Sequence, residues 1–254
     1  MSETRGPAAS GGRTWLLLVL SALALAALLS LGTWQVQRLQ WKEGLLAQIN
    51  ERIASDPVPL AEMETIFAQG GDVDYRPVRL NGRFVHSDER HFLATHEGQS
   101  GFFVHTPLQL ADGRYIFVNR GFVPYDRKDP ATRSEGLTEG EVEVTGLARA
   151  APAEKPSWIV PDNDPAKNIF YWKDLATMAA TAGMSEGAEV LPFYVDADET
   201  PNPGGLPVGG VTLIDLPNNH LQYAITWYGL ALGLCGVVAA WLLRSRSRRS
   251  SLDR

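Results

Sequence analysis

Asn218 to Leu230 reads NNHLQYAITWYGL, which sets His220 at the threshold of a long apolar run. On a helix advancing about 100° per residue from His220, Tyr223, Ala224 and Trp227 fall on the histidine's side. A neutral imidazole beside aromatic and apolar groups is what an axial haem ligand requires. A macrocycle could then lie against Tyr223 and Trp227, with Arg38 meeting a propionate. The same histidine also reads as a wet interfacial residue, hydrogen-bonded and without a metal. Trp34, Arg38, Trp41 and Leu45 recur at helical spacing, so an arginine sits between two indoles. Their ordinary role is an aromatic belt, with the arginine snorkelling to headgroups.

The other histidines offer less. His86, His91, His96 and His105 lie on or beside expected strands without an H-E-x-x-H or H-x-H pattern, so surface or cross-strand roles are expected. No serine occupies G-x-S-x-G, no phosphate loop occurs, and Asp196 and Asp198 have no evident partner in the sequence. Asn119-Arg120-Gly121 reads as a strand leaving through glycine into a turn, with the arginine pairing across the sheet.

Two apolar runs must position His220 and the indoles. The first covers Thr14 to about Thr33 and the second about Tyr223 to Leu243, each long enough as a helix to cross a bilayer. A cleaved secretory signal is the rival for the first, since Arg5 and Arg13 precede it and Ala22-Leu23-Ala24 would suit cleavage, but the run continues for a full span. Gly229 and Gly233 form a small-xxx-small pattern, with Gly236 on the same side. The first span offers Ala22, Ala26 and Ser30 at matching intervals. If those faces pack together, His220, Tyr223 and Trp227 point away from the pair, toward lipid or another protein.

Arg244, Arg246, Arg248 and Arg249 directly follow the second span and should stay in the cytoplasm, and two crossings then return the N-terminus to the same side. The expected organisation is a cytoplasmic tail (1–13), a transmembrane helix (14–33), an extracytoplasmic domain (34–222), a second transmembrane helix (223–243) and a basic cytoplasmic tail (244–254). The helical pattern continues past the first span to Asp56-Pro57, where proline disfavours helix in the residue before it. A short helix follows at LAEMETIFAQ. Strands are then expected at YRPVRLNGRFV, RHFLATH, FFVHTPLQL, RYIFVNRGFV and EVEVTGLAR, with turn-prone Asn-Gly, Ala-Asp-Gly and Thr-Glu-Gly. IFYWKDLATMAATAG reads as a helix ending at Gly183, followed by strands LPFYVDAD and VTLIDL. The fold class is therefore an α+β membrane protein: two transmembrane helices flanking a β-rich extracytoplasmic domain, built as an antiparallel sheet or small barrel with a few helices.

Composition closes several routes. The net charge of −6 divides into about +1 in the first tail, about +4 in the last and about −11 between, so the large domain offers no nucleic-acid surface. Cys235, the sole cysteine, lies in the second apolar run, which leaves the domain without a disulfide, a thiolate metal pair or a covalent c-type haem motif. An extracytoplasmic hydrolase would need a convergent acid, base or nucleophile. A two-span receptor would need more than RSRSRRSSLDR for output.

Four stretches together resemble the surfeit-locus family of cytochrome c oxidase assembly factors: LGTWQVQRLQWK, YRPVRLNGRF, TPLQLADGRYIFVNRGFVP and PNNHLQYAITWYGLA. They follow the family's order across nearly the whole chain. The resemblance implies a membrane-anchored, non-enzymatic helper acting while haem a is installed in the oxidase's large subunit, and bacterial members are associated with haem a binding. It maps the family's histidine to His220, the haem iron axial ligand, with Tyr223 and Trp227 in the same block. Gly32, Trp34 and Arg38 match the signature after the first span, and Asn119, Arg120 and Gly121 the central one. Phe122 departs from the tryptophan common at that place. The implied cofactor is transiently bound haem a; the implied partners are the large subunit, haem a synthase and membrane lipid. A scaffold that braces an oxidase intermediate without touching haem is the alternative. A span starting near Thr14 leaves little room for a mitochondrial presequence, so a bacterial inner membrane is the expected location.

Overall fold

The computed structural model describes residues 10–184, 187–212 and 218–252. It divides into two compact units, one formed by the long N- and C-terminal helices and the other by Ile49–Ile214.

Helix α1 (Ser10–Ile53) runs unbroken through the first apolar run and the amphipathic stretch after it. Leu, Ala, Gln, Glu, Lys and Arg dominate its sequence and carry low helical cost, and the helix gives out before Asp56-Pro57, as expected. The partner helix of this unit runs His220–Leu252. Both are long and apolar enough to cross a membrane. Large apolar side chains such as Trp15, Leu23, Leu232 and Val237 stand exposed along them.

The helices meet along a seam. On α1 the covered positions include Leu18, Ser21, Leu25, Leu28, Gly32, Gln35 and Leu39, at alternating steps of three and four residues. On the C-terminal helix they are His220, Ala224, Trp227, Ala231, Leu234, Val238 and Trp241. That spacing, averaging about 3.5 residues, belongs to helices that wrap around one another. The pair is antiparallel: Gln35 meets His220, while Leu18 and Leu25 line a groove of about 310 Å³ with Leu234 and Leu242. The expected glycine face is not the contact face. A Cβ placed on Gly229, Gly233 or Gly236 would meet nothing within 4 Å, whereas one on Gly32 would lie 3.0 Å from the Tyr228 ring. The small residues that permit close approach are Gly32, Ala224 and Ala231, and they bring the His220 side inward.

In the second unit, strand β1 (Val58–Pro59) and helix α2 (Leu60–Ala68) lead into β2 (Arg76–Phe84), β3 (Arg90–His96), β4 (Gln99–Gln109), β5 (Tyr115–Pro124) and β6 (Val142–Ala150); α3 (Leu175–Thr181) and β7 (Phe193–Ala197) follow, and the C-terminal helix above is α4. The order β1-β2-β6-β7-β5-β4-β3 is closed by a further pairing of β2 with β4, so five strands form a ring, β2-β6-β7-β5-β4. It is a small barrel, but the sheet is mixed rather than antiparallel throughout, because β1 runs parallel to β2 and β5 parallel to β7.

Asn81-Gly82, a turn-prone pair within the expected strand YRPVRLNGRFV, lies inside β2 and does not turn the chain. There β2 leaves β6 and takes up β4, with Arg83 opposite Gln109. A Cβ at Gly82 would come 2.4 Å from the Gln109 carbonyl oxygen, so closure needs a residue without a side chain. The interior holds Val78, Leu80, Leu108, Ile116, Val118, Phe193 and Val195. The outer face around Phe117 and Tyr194 is covered by Phe170 and Met178. Helix α3 is shorter than expected. Asp174 caps it by accepting from the Thr177 amide, while Phe170 bridges to β3 through hydrogen bonds with Leu93 and His91. Of the expected strand VTLIDL, residues 213–216 lie outside the described residues, and Val211 and Thr212 form no strand.

Candidate functional site at the seam of the helix pair

His220 is the first residue of α4, and the Asn219 carbonyl immediately before it accepts from the Tyr223 amide. The His220 ring turns toward α1, where Nδ1 lies 2.7 Å from Gln35 Oε1. A carboxamide oxygen only accepts, so Nδ1 carries a hydrogen, and in the neutral form of the ring Nε2 keeps the lone pair. Gln35 is 8% exposed, His220 is half-buried, and no partner for Nε2 is recorded among the described residues. One ring nitrogen is thus tied into the seam, and the other has no partner among the described residues.

The remaining expected residues divide between seam and surface. Trp227 is half-buried on the seam, two helical turns along from His220, while Tyr223 is 54% exposed. Trp34 is exposed next to Gln35 in the chain. The Arg38 guanidinium stacks on the Trp41 ring, 4.3 Å from its centroid, so the arginine is engaged by one of its two flanking indoles. The structure brings His220 to Gln35 and Arg38 to Trp41. The expectation that the His220 face points away from the helix pair is overturned, because the imidazole bonds across it; of His220, Tyr223 and Trp227, Tyr223 alone is exposed. Tyr228, absent from the expected set, packs over Gly32 with its hydroxyl 3.1 Å from that of Thr33.

The β-unit buries a second set of polar groups. Asn119 Nδ2 donates to Asp196 Oδ1 at 2.8 Å, Arg149 reaches the other carboxylate oxygen at 3.2 Å, and Lys173 donates to the Tyr194 hydroxyl at 2.7 Å. Burial acts to raise the Asp196 pKa, yet Lys173, the Asn119 hydrogen bond and Arg149 together hold it below the usual carboxylate range. His105 is wholly buried against Phe92 and Tyr194, and burial pushes its pKa down to about 3, so it is neutral. His91 is buried too, with Nε2 2.9 Å from Glu89, whose carboxylate also receives Arg133. Surface placement therefore fails for both His91 and His105, while the cross-strand alternative holds for His105, whose ring meets Phe92 of β3. Among the described residues, no group of three or more His, Cys, Asp or Glu could hold a metal ion.

Asn119-Arg120-Gly121 is structural, though not as a turn. It lies within β5, which continues to Pro124. Arg120, 2% exposed, donates to the Gly136 carbonyl and Asn202 Oδ1 and stacks over Phe84, and burial pushes its pKa down to about 10. It ties loops to the barrel instead of pairing across the sheet. Gly121 sits at φ 118°, and a Cβ there would fall 1.8 Å from the Val208 carbonyl oxygen. Phe122, where the resemblance leads one to expect an indole, is packed edge-on against Phe103 in an apolar cluster.

Residues 22–232 match the SURF1 family. This chain belongs to the SURF1 family. Surfeit locus protein 1 of Xenopus tropicalis is 40% identical over 233 residues, which cover 85% of this chain and 71% of that protein. The Homo sapiens protein of the same name is 39% identical over 237 residues, covering 85% and 73%. A SURF1-like protein of Drosophila melanogaster is 33% identical over 236 residues, with the same two coverages. These relatives are eukaryotic, so they do not speak to a bacterial origin. The matched span of this SURF1-family chain includes both the Trp34–Arg38 segment and the His220–Trp227 block, and with them Gln35.

Proposed function

We propose that this SURF1-family chain is a membrane-anchored assembly factor for cytochrome c oxidase that binds haem a through His220 and assists its insertion into the large catalytic subunit. The observation that carries the reading is the orientation of one ring: Nδ1 of His220 is held by Gln35, and Nε2, at a half-buried position, has no partner among the described residues. A metal-binding histidine characteristically donates its second ring N–H to a fixed acceptor. When bound, haem a would supply an iron able to take an imidazole nitrogen. The residues present fit that group: one imidazole whose Nδ1 is held by a fixed acceptor, with Trp227 half-buried on the same helix face, Tyr223 exposed beside it, and Trp34 and Arg38 on the facing helix as further contacts.

A single imidazole at an accessible position suits a carrier, which must release what it holds. Haem a synthase is the proposed source and the oxidase large subunit the proposed destination. The chain's part is binding and delivery, without catalysis of its own. The exposed apolar surfaces of α1 and α4 support insertion in lipid. Arg13 and Arg244, close to the outer ends of the spans, support a cytoplasmic location for both termini. The proposal places the chain in a bacterial inner membrane with the β-unit on the periplasmic side, which reporter fusions within β-unit loops would test.

The deciding experiment is a visible absorption spectrum of the detergent-purified protein from cells that make haem a, beside His220→Ala. A carrier shows a haem band that the variant lacks. Colourless parent protein that still supports oxidase assembly would replace this reading with the scaffold that braces an intermediate.

A further inference from the structure

Gln35 is covered at the seam, and among the described residues its side chain bonds to His220 Nδ1. Its immediate seam neighbours, Gly32 and Leu39, offer no polar group. Without Gln35 the imidazole would be free to carry its hydrogen on either nitrogen, and the nitrogen able to meet a ligand would often be the protonated one. We infer that Gln35 is a positioning residue for haem: it fixes the His220 tautomer and ring orientation and, as a neutral amide, keeps the imidazole a moderate donor. This rests on the proposed role of His220 and extends it to a residue on the other helix.

The choice of amide has a chemical consequence. A carboxylate at this position would pull more strongly on the Nδ1 hydrogen, give the imidazole more anionic character and strengthen its bond to iron. A carrier gains nothing from that. A neutral acceptor orients the ligand and leaves its grip weak enough for transfer. The rival role is purely architectural: a polar pair within an apolar seam can fix the register of two helices without any part in binding.

Three variants of the full-length protein in detergent separate these roles: Gln35→Met, Gln35→Glu and His220→Ala. Each is titrated with haem a, and bound samples are taken through visible spectroscopy and a redox titration, with helicity followed by circular dichroism. Gln35→Met, close in volume but without the acceptor, is expected to bind haem a about 10- to 100-fold more weakly while keeping its helicity. Gln35→Glu is expected to bind at least as tightly as the parent, with a shifted visible spectrum, a more negative midpoint potential and slower release. An unchanged affinity and spectrum in both Gln35 variants, with His220→Ala losing haem, overturns the inference and leaves the proposed function standing. Haem binding unaffected in His220→Ala overturns both. Loss of helix pairing in both Gln35 variants assigns the residue to register alone and overturns the positioning role.

Discussion

In the β-unit, Asp196 is 3% exposed and meets Asn119 and Arg149, with Lys173 adding its charge. In the helix pair, Gln35 is nearly as well covered and meets one nitrogen of a ring whose other nitrogen has no partner among the described residues. Burial of a polar group is costly unless it is paired, and the first arrangement satisfies that requirement on several sides. The second satisfies only the buried edge of the imidazole. The contrast separates two uses of polar side chains in one molecule: the β-unit uses them to hold a barrel closed and its loops in place, while the helix pair uses one to aim another.

The comparison breaks most severely at Gly121. Alanine there combines a positive φ with a contact no Cβ tolerates, and Gly121→Ala is expected to cost more than about 4 kcal/mol, seen as a collapse of the β-unit's thermal transition. The same change should leave α1 and α4 helical. A uniform loss of both units would show that they are not separate in stability.

A smaller and more selective effect is expected at His105. In the unfolded chain this imidazole takes a proton near its ordinary value of 6.5, whereas the folded protein refuses it down to about 3. The unfolded state therefore binds more protons between those values, and stability falls as pH drops through that window, by at most about 1.4 kcal/mol per pH unit. His105→Phe, with a ring of similar shape between Phe92 and Tyr194, should flatten this slope in denaturant titrations at pH 7, 5 and 4. A slope equal to the parent's would remove His105 from the account.

The smallest effects sharpen the helix-pair side. Gly32→Ala pushes a methyl group against the Tyr228 ring and is expected to weaken the pair by about 1 kcal/mol, whereas Gly233→Ala meets open space and should be neutral or slightly stabilising. Unfolding of the pair in mixed micelles would read the difference. Equal sensitivity at both positions would restore the glycine face as the contact.

That reversal also shows what the sequence made legible. The β-strands could be read because apolar and polar residues alternate along segments such as Val78 to Arg83, where one face is core and the other is water. The length of α1 was equally plain, since nothing interrupts its helix formers before Asp56-Pro57. The helix-pair seam was hidden, because a span apolar on every side gives no periodic signal for the face that meets another helix. The signal that could have found it is the three-and-four spacing through Leu25, Leu28, Gly32 and Gln35, whose last member is a polar residue amid apolar seam positions. Closure of the barrel at Asn81-Gly82 mimics a hairpin turn in local sequence and differs only in what approaches it from β4. Burial of His91 and His105 depends on residues brought in from other segments, Arg133 on the neighbouring Glu89 carboxylate for one and the Phe92–Tyr194 pocket for the other, and no local pattern announces it.

The central claim, that His220 Nε2 is the iron ligand, is tested most directly by His220→Gly purified from cells making haem a and examined by visible spectroscopy before and after addition of free imidazole. The account predicts that the haem band is lost in the variant and returns when imidazole fills the space beside Gln35. A variant that keeps the parent spectrum without imidazole would contradict it.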